Sequence, residues 1–266
     1  VFFDNKLLND NRKNLELLDA LRKSIINHCD GYYLCFQPII STENEGLVGA
    51  EALLRWYKPP FGEVPPGLFI PRLENDPSFY DLGNWILKQA VTEGKKLLSK
   101  YPDFVLNVNV AYTQLSRISF LDAVKDILLE TGYPAANLCL ELTERCRQLD
   151  KQYLRQEIDS LKALGIKIAM DDFGTRFSSL NLLSELPVNT IKIDRGFIID
   201  IQTNETNQAI VEAITNCAKK LDVHVCCEGL ETKEMIDFIK QYPIYSIQGY
   251  YYSKPIKMAS FMEKFC

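Results

Sequence analysis

Histidine is nearly missing from this chain: His28 and His224 are the only two among 266 residues. They stand far apart, and none of the eight cysteines falls in a Cys-x-x-Cys pair. The usual spacings of a zinc site are therefore excluded. There is no apolar run of the roughly 18 residues that a membrane helix needs. The opening Val1-Phe2-Phe3-Asp4 lacks the basic start of a signal peptide. Basic residues are outnumbered as well, 30 Lys and Arg against 35 Asp and Glu, for a net charge of −5. That argues against binding a DNA or RNA polymer, which favours a basic face. It leaves room for one small anion held by a few arginines and metal ions.

What is present is ordinary globular composition, 47% hydrophobic and 24% charged, in a length that suits a single α/β barrel of roughly 250 residues. Several cysteines, Cys139 and Cys226 among them, sit inside apolar runs, where cysteine acts as a small hydrophobe. Reduced thiols in a cytoplasmic compartment are expected. The chain starts at Val1 instead of Met, and a longer parent protein is expected. Residues 1–30 carry leucines and isoleucines at helical spacing, from Leu7 and Leu8 to Leu21 and Ile25. They are assigned to a linker helix from a preceding domain, with 31–266 as the main domain.

From there strands and helices alternate. Strands are expected at 32–40, 47–54, 104–110, 137–144, 168–171, 190–194, 223–227 and 245–250, by their branched and aromatic content. Helices are expected at 81–98, 120–130, 151–164, 178–186, 207–221, 232–240 and 257–265. Five prolines from Pro59 to Pro71 read as an irregular loop. Only the first two strands are joined by a short turn, so they form a hairpin. The fold class follows: α/β, a modified TIM (β/α)8 barrel whose first strand runs antiparallel.

In such a barrel the C-terminal strand ends form the active face. Each strand supplies a polar residue there: Gln37, Glu51, Asn109, Glu141, Asp171 with Asp172, Lys192, Glu228 and Gln248. Singly each has a plain explanation, such as Glu51 pairing with Arg55 or Lys192 bridging to Asp194. All eight strands doing so on one rim points to a site. A carboxylate inside an apolar strand is costly unless it is paired or binds a metal. The adjacent Asp171 and Asp172 repel each other unless a cation or proton joins them. Oxygen-only ligands select Mg²⁺ or Mn²⁺ over Zn²⁺, and two such ions clamp the reacting oxygens of a phosphodiester. A buried lysine, its pKa lowered by burial, could hold or deprotonate the attacking water.

Glu51-Ala52-Leu53-Leu54-Arg55 resembles the signature of the EAL domain family, the cyclic-di-GMP phosphodiesterases. Asn109-Val110-Ala111, Glu141-Leu142-Thr143-Glu144, Asp171-Asp172-Phe173-Gly174-Thr175, Lys192-Ile193-Asp194, Glu228-Gly229-Leu230-Glu231 and Gln248-Gly249-Tyr250 resemble its other motifs, in order. The resemblance runs from about residue 33 to 256. It implies hydrolysis of cyclic-di-GMP to linear pGpG with two Mg²⁺ or Mn²⁺ ions. It implies that Glu51, Asn109, Glu141 and Asp171 hold one metal and Asp171, Asp172 and Glu228 the second. Lys192 would position the water, with Glu228 as the competing general base. Arg55 would bind phosphate, and Gln37, Leu53 and Gln248 the nucleotide. Glu144 would anchor the loop after Asp172, a loop linked in the family to homodimerisation. A GGDEF or sensory domain is the expected upstream neighbour. Arg176-Phe177 stand where the family has Gly-Tyr, and Ala111 replaces a usual serine. No metal ligand is lost, so an active or weakly active enzyme is expected. The alternative is a catalytically silent receptor for cyclic-di-GMP.

Overall fold

The structure, a computed structural model, describes residues 5–174, 183 and 185–266, with side chains from residue 13 onward. Arg176, Phe177 and most of the helix expected at 178–186 lie outside the described residues, as do the side chains of Leu7 and Leu8. In chain order the elements are α1 (Asn5–Ile26), β1 (Tyr32–Ser41), β2 (Leu47–Lys58), β3 (Gly62–Val64), α2 (Pro66–Leu73), α3 (Phe79–Gly94), β4 (Val105–Val110), α4 (Tyr112–Leu115), α5 (Phe120–Thr131) and β5 (Leu138–Thr143). There follow α6 (Lys151–Ala163), β6 (Lys167–Phe173), β7 (Thr190–Ile193), α7 (Arg195–Ile198), α8 (Glu205–Lys220), β8 (His224–Cys227), α9 (Lys233–Ile239), β9 (Ser246–Ile247) and α10 (Met258–Phe265).

The sheet runs β1-β9-β8-β7-β6-β5-β4-β2-β3 and closes through β1–β2. Eight strands make the barrel. β1 is antiparallel to both its neighbours, β2 and β9, while the other barrel pairs are parallel. The hairpin explains this: a turn of a few residues returns the chain antiparallel, whereas a parallel return needs a crossover element. Strand interiors bury branched and aliphatic residues on both faces, as helix-covered parallel strands do. Leu106, Val108, Leu138, Leu140, Ile168 and Ile191 are all essentially inaccessible.

The irregular loop expected at 59–71 is a correction. It holds β3, which pairs with the end of β2, and α2, whose Pro66 occupies the first turn where a missing N–H costs nothing. The second half of α1 lies against the barrel. Leu21, Ser24 and Ile25 are buried, and the Trp56 indole donates to Ser24 Oγ at 3.1 Å. Among the described residues no helix is long and apolar enough to cross a membrane.

Candidate active site

β2 brings Glu51 level with Gln37 on β1 and Asn107 on β4. β4 in turn sets Asn109 opposite Glu141 on β5. Because side chains alternate along a strand, Asn107 and Asn109 share a face, and both turn toward carboxylates. Asn109 Nδ2 donates to Glu51 Oε1 at 2.7 Å, and Asn107 Nδ2 to Glu141 Oε1 at 2.7 Å. Gln248 Nε2 donates to Glu51 Oε2 at 2.7 Å and to Gln37 Oε1 at 3.1 Å.

Lys192 stands at the centre, its side chain 1% exposed. Its Nζ lies 2.6 Å from Glu228 Oε1, 2.9 Å from Glu141 Oε2, 3.1 Å from Glu51 Oε2 and 3.6 Å from Asp171 Oδ1. Burial alone would lower this ammonium's pKa, as the reading of the sequence expected. The charges of Asp171, Glu141, Glu228 and Glu51 outweigh burial and raise it well above the lysine range. Lys192 is therefore a held cation and a poor proton acceptor.

The carboxylates divide. Burial pushes Glu51 up, but the Lys192 charge and hydrogen bonds from Gln248, Lys192 and Asn109 bring it below its ordinary value. Glu141 is driven well up, by burial and then by the neighbouring Glu51 charge. Asp171 is also raised, chiefly by burial. Glu228 is pushed up to about 8 by burial, with Asp171 and Glu51 adding to it, against the pull of Lys192. Asp172 rises to about 6 through burial and the adjacent Asp171.

On β6 the ladder to β7 shifts register between Met170 and Phe173, and Asp172 takes φ 52°. This bulge lets two consecutive side chains serve one site, and aspartate is among the few residues that tolerate a left-handed backbone. Oxygens of Asp171, Asp172 and Glu228 lie within 4.8 Å of one another.

The residues fit hard divalent cations. The donor set is all oxygen. Among the described residues five carboxylates (Glu51, Glu141, Asp171, Asp172 and Glu228) face one ammonium; fully ionised they would carry four surplus negative charges, which two divalent ions would balance. Asp171 Oδ1 is buried without a hydrogen bond and meets only the Lys192 ammonium, at 3.6 Å, an under-satisfied acceptor that suits a cation.

A cavity of about 250 Å³ opens beside this cluster. Of the residues assigned to the nucleotide and phosphate, Gln37, Leu53 and Gln248 line it and Arg55 does not. Arg55 sits half-buried at the end of β2, with Nη1 donating to the Leu54 carbonyl at 2.8 Å. Glu144 begins the turn after β5, half-buried, beside the Arg145–Glu74 ion pair. Ala111 offers no hydroxyl to cap α4, and its N–H donates to the Gln114 side chain at 3.2 Å.

The sequence reading missed Asn107, Arg195, Glu231 and Tyr250. The last three line the cavity. Asn107 was detectable, being two residues before Asn109 on one strand face. Arg195 lies beyond the strand end, where pattern says nothing about direction.

Comparison with known proteins agrees. The EAL domain model matches residues 18–255. The bifunctional diguanylate cyclase/cyclic di-GMP phosphodiesterase MucR of Pseudomonas aeruginosa is 32% identical over 256 residues, covering 96% of this chain and 37% of that protein. The cyclic di-GMP phosphodiesterase NbdA of the same organism is 32% identical over 263 residues, covering 98% of this chain and 33% of that protein. The chain thus spans about a third of the length of these two relatives. Among solved structures, the P. aeruginosa MucR phosphodiesterase in complex with c-di-GMP superposes with a TM-score of 0.86 at 30% identity, over 92% of this chain and 99% of that one. The EAL enzyme Bd1971, bound to cAMP and cyclic-di-GMP, gives 0.91 at 29% identity, over 97% and 70%.

Proposed function

The chain belongs to the EAL domain family, and from that premise we propose that it hydrolyses cyclic di-GMP to linear pGpG with two divalent cations, Mg²⁺ or Mn²⁺. The observation that carries this reading is the excess of carboxylate over ammonium at the C-terminal rim, with Asp171 Oδ1 left open. Glu51, Asn109, Glu141 and Asp171 would hold one cation, and Asp171, Asp172 and Glu228 the other. When bound, such ions polarise the phosphodiester and lower the pKa of a water. Lys192, kept charged by its carboxylates, would orient the water, and Glu228, once ionised by a bound cation, would be the group to receive its proton. Gln37, Leu53 and Gln248 orient the nucleotide, and Arg55 swings from the Leu54 carbonyl to a phosphate.

Glu144 anchors the loop that follows Asp172, and the domain works as a homodimer. In the longer protein a GGDEF or sensory domain precedes it, as the greater length of the relatives supports, and it acts in the cytoplasm, where eight free thiols are stable.

The test is incubation with cyclic di-GMP and Mn²⁺ or Mg²⁺, chromatography for pGpG, and a parallel binding titration. Cation-dependent pGpG supports the proposal. Tight binding with no turnover under either ion would replace it with a receptor. Neither binding nor turnover would remove cyclic di-GMP from the reading.

A further inference from the structure

The two strand ends that carry Asp171–Asp172 and Glu228 flank β7, and β7 runs directly into the single turn α7 (Arg195–Ile198). Two side chains of α7 lie on two glycines. Gly174, two residues after Asp172, has φ +101°, and an added Cβ there would meet Phe197 Cε2 at 2.6 Å and Cζ at 3.0 Å. Gly229, the residue after Glu228, has φ +75°, and a Cβ there would meet Arg195 Cγ at 2.3 Å and Cβ at 2.5 Å. Both positions need glycine twice over, for the backbone angle and for the close approach.

α7 itself is fixed in place. Asp194 caps it by accepting from Gly196 N at 2.8 Å, Ile198 is fully buried, and the Arg195 guanidinium bonds Glu231 at 2.9 Å. The Glu228 N–H donates to the Ile193 carbonyl at 3.1 Å. By contrast, the end of β6 has lost register with β7 and carries the strained Asp172. Ladder bonds that would set its distance from β8 are disrupted there.

We propose that α7 is a clamp: the Phe197 ring on Gly174 and the Arg195 stem on Gly229 set the separation of the Asp171–Asp172 and Glu228 oxygens. Arg195 and Phe197 are then positioning residues for the divalent cation held by those three carboxylates. The clamp rests on the two-cation reading above, and it adds that the second cation depends on two side chains that never touch it. Outer residues that orient metal ligands are worth about 10–100-fold in affinity.

Titration of the full chain with Mn²⁺ alone, followed by electron paramagnetic resonance, tests the clamp without any turnover. The parent is expected to bind two Mn²⁺ and to show the spin-coupled spectrum of a pair about 3.5–4 Å apart. R195A and F197A should bind the first Mn²⁺ as the parent does and the second at least ~10-fold more weakly, with the coupled spectrum lost. R195M keeps the stem over Gly229 without the guanidinium and should retain the coupled spectrum, as should F197L, which keeps apolar bulk over Gly174 if F197A fails to fold. An unchanged coupled spectrum in both R195A and F197A overturns the clamp and leaves the two-cation reading standing. A parent that binds no Mn²⁺ pair overturns both.

Discussion

Neighbouring strands β5 and β6 deliver carboxylates to the same site by opposite means. β5 does it by regularity: Glu141 sits in register with Asn109 on one side and Ala169 on the other, and its side chain is 0% exposed. β6 keeps register with β5 through Thr143 and Asp171, then slips against β7 and turns Asp172 into a left-handed conformation. A regular strand sends one side chain in two toward the barrel axis. Two consecutive carboxylates reach one site only where the pleat breaks. The regular strand holds one deeply buried carboxylate in a fixed place; the broken one presents two at the more accessible edge.

Removing one carboxylate from each strand is the most severe test of this contrast. Glu141→Gln and Asp171→Asn should each cut turnover by more than the ~100-fold that loss of an outer metal partner costs, read by pGpG formation. Their stabilities should part. Glu141 is one of a surplus of buried carboxylates; burial and the Glu51 charge hold its pKa well up, so its ionised form costs the fold stability, and Lys192 keeps three other partners without it. Glu141→Gln removes that cost, while its single amide oxygen can accept from Asn107 or from Lys192 but not from both, so unfolding stability should rise modestly at neutral pH. Asp171 is partly solvated and should gain less. Equal stability changes in calorimetry would erase the difference between the two strands.

The second test is pH. Glu228 at about 8 and Asp172 at about 6 both lie above their ordinary values, so the folded chain holds protons that the unfolded chain releases. Their stabilising contribution is present below the ordinary carboxylate range, near pH 4, and is lost as pH rises from there, up to about 6 for Asp172 and about 8 for Glu228. Without divalent ions the melting temperature should therefore fall over that window. Cations compete with those protons, so Mn²⁺ affinity should rise by up to about tenfold per pH unit until Glu228 ionises. A flat affinity between pH 6 and 8 would mean that these acids are already ionised.

The barrel and the strand-end residues were legible in the sequence, the broken pleat of β6 was not, and what was hidden has a physical cause. The barrel followed from strand–helix alternation and from one short hairpin turn. The rim residues followed because each stands where an apolar strand gives out. β3 and α2 were hidden because five prolines read as a loop, although Pro66 at a first helical turn starts a helix. The raised pKa of Lys192 was hidden because burial is visible in an apolar run, whereas four carboxylates within 3.6 Å require coordinates. Arg195 was hidden because its role depends on Gly229, far along the chain and on the next strand end.

The smallest expected effect isolates the bulge from its charge. Asp172→Asn removes a carboxylate but keeps a side chain that accepts φ near +52°. Asp172→Ala removes the carboxylate and adds a residue that resists that angle. Both variants should lose second-cation binding to the same degree. Only the alanine form should also lose about 1 kcal/mol of stability, the low end of the cost of a non-glycine residue held in a left-handed conformation. Denaturant unfolding without divalent ions separates them. If the two unfold alike, aspartate occupies position 172 for its charge alone and the broken pleat stores no strain; if alanine is weaker, the backbone at the end of β6 is held against its preference by what surrounds it.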